Sequence, residues 1–156
     1  MAVSILGTLF HFIYDWSGEN KILGVFGAVN ESTWEHLKLL FWPVSFITVF
    51  EYFFIYKEKD GFLLSRFVSL AIGMIFIIVL FYTFTGIMGK SYDAFNISLY
   101  YVAVILTFFL SSIFIKNHSF IYRSSYAMAI ILFLLVAGMF IAFTHRPPEL
   151  GLFREP

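Results

Sequence analysis

The sequence predicts an all-α fold, a polytopic transmembrane bundle of about five helices in a single domain spanning residues 1–156. Three observations carry that reading. Of 156 residues, 60% are hydrophobic and only 13% are charged, against about 45–50% and about 25% in ordinary soluble domains. Phe alone occurs 22 times, and mean hydropathy is +0.87; a water-soluble domain of this length has too little interior to hide that much apolar surface. Apolar runs of about 20 residues, enough to cross hydrocarbon as a helix, recur along the chain. The same numbers exclude other classes. Net charge is +0 with no basic run, so nucleic acid is not an expected partner. The chain has no cysteine, which removes disulfides, thiolate metal sites and Cys nucleophiles.

The first segment, 3–16, is short and carries His11 and Asp15. It lacks a basic start and a small-residue cleavage site, so it reads as a mature helix rather than a signal peptide. The second, 33–56, has a marked beginning. Ser32-x-x-Glu35 is a capping box with Ser32 at N-cap, and Glu31 and Glu35 sit at the positive end of the helix dipole, worth about 0.3–1 kcal/mol each. Pro43 predicts a kink in this helix, because the residues after it are too few to span alone. Segments 62–88, 95–115 and 122–144 span easily, the last two lacking any acidic residue and carrying at most one basic one at an end. Ser69-x-x-x-Gly73 and Gly138-x-x-x-Ala142 supply the small-residue spacing that lets membrane helices approach. Glu51, near the far end of the second helix, is expected to snorkel or to pair with Lys57 or Arg66; His118 reads as a loop histidine.

Five spans put the end of the first helix, the start of the second and the end of the fifth on one membrane face. Bases do not decide which face that is. Lys57, Lys59, Arg66, Lys116 and Arg123 lie on one side, and Lys21, Lys38, Lys90, Arg146 and Arg154 on the other, an even count that favours neither orientation. The shared face gathers the unusual polar residues: His11 and Asp15, one turn apart on one helical stripe; Asn30, Glu31, Trp34, Glu35, His36 and Lys38; and His145 with Arg146. Ionisable groups at membrane depth are costly, so such a concentration marks a functional site.

Three uses fit these residues. Zinc or another divalent metal could be held by His11, Asp15, His36 and His145, since catalytic zinc takes three His or carboxylate ligands and keeps one position open; the HExxH string is absent. Glu35, His36, Glu31 and Lys38 could act as catalytic acid, base or charge, with Asn30, Trp34 and Arg146 binding a lipid-like substrate. The same groups could relay protons through a permease or channel subunit, or serve a non-enzymatic membrane complex. An intramembrane hydrolase, with or without a metal, is the leading expectation. A homo-oligomer is compatible with it.

The run His11-Phe-Ile-Tyr-Asp15-Trp16, then Asn30-Glu31-Ser32-Thr33-Trp34-Glu35-His36-Leu37-Lys38 and Phe41-Trp42-Pro43, with Pro147-Pro148 and Leu152-Phe153-Arg154-Glu155-Pro156 at the end, resembles a family of small prokaryotic multi-pass membrane proteins known only as a domain of unknown function. The resemblance covers the whole chain. It implies a prokaryotic cell-membrane protein and lends weight to those positions, and it implies no reaction.

Overall fold

In hydrocarbon every backbone N–H and C=O must be satisfied within its own segment, so long apolar runs fold as helices. The computed structural model describes residues 2–57, 59, 61–116 and 125–155, Ser125 through its backbone alone. It contains five α-helices, α1 (Ala2–Trp16), α2 (Thr33–Phe54), α3 (Phe62–Met88), α4 (Asp93–Lys116) and α5 (Ser125–His145), with short 3₁₀ turns at Leu23–Val25 and Gly151–Phe153 and no strand among the described residues. His118 and Arg123 lie outside the described residues.

Four helices, α2 to α5, are long and apolar enough to cross a membrane. Of the five expected helices α1 is the short one, with 15 residues that reach only about 22 Å. It packs against α2 and α4. Gly7 allows that approach, since a Cβ there would meet the Leu39 carbonyl oxygen at 2.6 Å and the Tyr100 ring. The Tyr100 hydroxyl donates to the Val3 and Leu39 carbonyls at 3.2 and 3.4 Å, tying α4 to both neighbours.

α2 runs unbroken through the buried Pro43 and is surrounded by α1, α3, α5 and the C-terminal turn. The two small-residue motifs behave differently. Ser69 and Gly73 are buried, and a Cβ on Gly73 would run into Thr107 of α4, so this motif sets a close α3–α4 contact. Gly138 faces open space and Ala142 is exposed, so the second motif makes no close helix contact among the described residues. The bundle interior holds Leu40, Phe41, Val44 and Leu70, each at most 1% exposed. These side chains separate two polar ends. At one, Glu51 pairs with Arg66, whose guanidinium lies 4.4 Å from the Phe108 ring centre. At the other lie the end of α1, the start of α2, the end of α5 and the tail.

Candidate metal centre

The segment between α1 and α2 does not stay at the surface. Lys38 Nζ donates to the Gly24 carbonyl at 2.7 Å, Trp42 Nε1 donates to the Val25 carbonyl at 2.9 Å, and the Phe26 ring lies 4.9 Å from Trp42. Trp42 is nine residues into α2, so the loop descends about 14 Å alongside it. Irregular backbone at that depth is tolerated only where protein buries it. Here the Leu23–Val25 turn supplies internal bonds, Asn20 Oδ1 accepts from Ile22 N–H at 2.9 Å, and Gly27 presses on α1, where a Cβ would sit 2.6 Å from the Phe10 carbonyl oxygen. The loop then climbs back to deliver Asn30 and Glu31 to the membrane face.

Two separate clusters result. The outer one joins His11 from α1, Glu31 from the loop and His36 from the first turns of α2. One ligand atom from each lies within 4.8 Å of the others. Glu31 Oε2 is 3.4 Å from His36 Nε2, and Glu31 Oε1 is 3.9 Å from His11 Nε2. Ligands about 2.1 Å from a tetrahedral ion stand about 3.4 Å from one another. The His36 Nδ1 lies 3.0 Å from the Ser32 carbonyl, which can only accept, so Nδ1 carries a proton. Its Nε2 faces the Glu31 carboxylate at 3.4 Å, where a protonated ring pairs with the carboxylate directly and a neutral one offers its lone pair to a cation between them. An anchored Nδ1–H is also how metal-binding histidines are oriented. Both rings are about one-third exposed and Glu31 is 63% exposed, so the cluster opens to the aqueous face.

The inner cluster is closed. Glu35 is 2% and Lys38 0% exposed, and the two form the ion pair that their i,i+3 spacing predicts. Lys38 also donates to Thr144 Oγ1 of α5 at 3.0 Å, and Glu35 Oε2 accepts from Val29 N–H at 3.0 Å. The capping box is half made. Ser32 Oγ accepts from Glu35 N–H at 3.4 Å, but the Ser32 N–H is taken by Asn30 Oδ1 at 3.0 Å, leaving the Glu35 carboxylate for Val29 and Lys38.

Other members of the expected site fall elsewhere. Asp15 is exposed, and the His11–Asp15 pairing is not formed; His11 Nδ1 has no hydrogen-bond partner among the described residues. His145 and Arg146 are exposed and form no ion pair among the described residues, because Thr144 faces inward and each next residue turns by about 100°. Trp34 is 8% exposed, packed among the rings of Phe140, Phe143 and Phe153. The tail thereby folds back over this face, and Glu155 accepts from the Glu31 N–H at 3.5 Å. Sequence reasoning missed Thr144 and the carbonyls of Gly24 and Val25. Only the deep placement of Lys38 and Trp42 hinted that something polar must meet them.

A membrane bundle of four candidate spans, with an open His/Glu cluster above a sealed ion pair, defines a multi-pass membrane protein built around one polar face. Over residues 1–156 the chain matches the model of a family described as "Family of unknown function (DUF6512)", and it belongs to that family. Neither a curated protein nor a solved structure matches it.

Proposed function

We propose that this protein is a membrane-embedded, metal-assisted hydrolase that cleaves an ester bond of a lipid-like, membrane-borne substrate at the bilayer surface. The supporting observation is the convergence of His11, Glu31 and His36 at near-ligand spacing on an open face. Two histidines and one carboxylate with a free fourth position are the ligand pattern of catalytic rather than structural zinc. A divalent ion held there supplies Lewis-acid activation of water and of the substrate oxygen. His36 is held by Ser32 so that Nε2 faces the cluster. Glu31 is the exposed carboxylate of the cluster, and in this reading Glu155, which accepts from the Glu31 N–H at 3.5 Å, is the base that takes the proton of the attacking water. Water oxygen bonds to the ester carbon or phosphorus, the alcohol oxygen leaves, and that alcohol takes up the proton.

A cleft of about 900 Å³ supports a chain-bearing substrate. It lies between α1 and α4, lined by Ile5, Thr8, Leu9, Tyr101, Ile105 and Phe109 among others, and Thr8 is one turn below His11. The apolar interior between the two polar ends favours an enzyme over a solute passage. The test is hydrolysis of ester and phosphoester lipids in vesicles containing the purified protein. Activity that EDTA removes and zinc or manganese restores supports the reading. Lipid esters left intact under every metal condition contradict it.

A further inference from the structure

The two ions of the inner cluster are shut away from water, at 2% and 0% exposed, with the half-buried Thr144 hydroxyl at its edge. Each bond it makes beyond the ion pair reaches either the loop or α5. Lys38 holds the Gly24 carbonyl, Glu35 holds the Val29 N–H, and Thr144 Oγ1 receives Lys38 while its hydroxyl is also within 2.8 Å of the Phe140 carbonyl. The two loop anchors are five residues apart and both precede Glu31. With them fixed, the chain has two residues, Asn30 and Glu31, in which to reach the His36 ring, and Asn30 is itself pinned to the Ser32 N–H. We infer that Glu35, Lys38 and Thr144 are positioning residues, a buried clamp that holds the re-entrant loop so that Glu31 meets His11 and His36 and thereby sets the cation affinity of the outer cluster. The loop-holding part stands on the hydrogen bonds alone, and the affinity part rests on the metal reading above.

Two measurements on the full-length chain in detergent separate these parts. The key variant is Glu35→Leu/Lys38→Met. Replacing both ions keeps the site apolar, whereas a single change strands a buried charge. After EDTA treatment, amide exchange across residues 20–31 is expected to be about tenfold faster in the double variant, with α3 and α4 protected as in wild type. Titration with Co²⁺ is expected to show affinity lower by about 10- to 100-fold, the usual cost of removing groups that orient metal ligands, and an altered visible spectrum. Equal protection of 20–31 in the two proteins overturns the clamp, and unchanged cobalt affinity despite a loosened loop overturns its effect on the site. A wild type that binds no cobalt, beside a loosened loop in the variant, removes the metal reading and leaves the clamp standing. Should the double variant fail to insert, Thr144→Val decides: faster exchange in 20–31 supports the clamp, and unchanged exchange overturns it.

Discussion

Among the described residues each end of the bundle carries one acid–base pair, fully buried at Glu35–Lys38 and half-buried at Glu51–Arg66, and the two are put to different uses. Glu51–Arg66 joins α2 to α3, with Arg66 laid over Phe108 of α4 and Phe62. Among the described residues its hydrogen bond runs from helix to helix and reaches no loop carbonyl or amide. Glu35–Lys38 lies within one helix, so it adds nothing to helix pairing by itself; its remaining bonds go to Gly24, Val29 and Thr144. One pair fixes helix register. The other spends its spare hydrogen bonds on a loop that ends at Glu31.

Removing one partner from either pair should give the largest effects. Lys38→Met leaves the Glu35 carboxylate buried and uncompensated, which costs about 3–5 kcal/mol, and detergent-unfolding curves should show that loss together with weakened metal binding. Arg66→Met should lose stability as well, less so because Glu51 is 21% exposed, and its metal binding should match wild type. Equal metal affinity in the two variants would erase the distinction between the ends.

A sharper contrast separates the outer cluster from the inner one. His36→Ala should insert and unfold like wild type, since the ring is about one-third exposed, while losing metal and activity. Glu35→Ala should accumulate poorly in membranes, because it strands Lys38. Immunoblots of membrane fractions and metal analysis of the purified variants distinguish these outcomes. Identical behaviour of the two would return Glu35 to the same role as His36.

The smallest expected effect concerns the tail. Phe153→Ala removes the tilted ring contact with Trp34 and the edge-on contact with Phe143, worth about 0.5–1.5 kcal/mol beyond the buried area. Exchange at the start of α2 should rise modestly and cobalt affinity should hold. A large loss of affinity would instead place the tail, through Glu155, among the ligands.

Much of the fold is legible in composition and spacing alone. The long apolar runs gave α3 to α5 because helix is the way an isolated segment satisfies its backbone in lipid, and Ser32 marked the start of α2 because its side chain caps that end. The length limit on 3–16 was visible too, since 14 helical residues fall short of the hydrocarbon thickness. What the pattern could not reveal is the path of 17–31. A re-entrant loop leaves its trace in backbone carbonyls, which every residue has, rather than in side-chain type. The membership of the site was partly legible for the same reason. His11, Glu31 and His36 were among the residues singled out, but a shared membrane face does not tell which side chains point together. His145 follows the inward-facing Thr144 and turns away, and Asp15 ends its helix in the open. Lys38 and Glu35 were recognisable as an i,i+3 pair. Their anchorage to the loop was not, since it depends on Gly24 and Val29 returning to the same depth.

The most direct measurement is the metal content of the detergent-purified protein by plasma mass spectrometry, wild type beside His36→Ala, prepared without chelators. Near-stoichiometric zinc, manganese or iron in wild type, lost in His36→Ala, is the predicted result. No transition metal in either protein would contradict the assignment of His11, Glu31 and His36 as a metal centre.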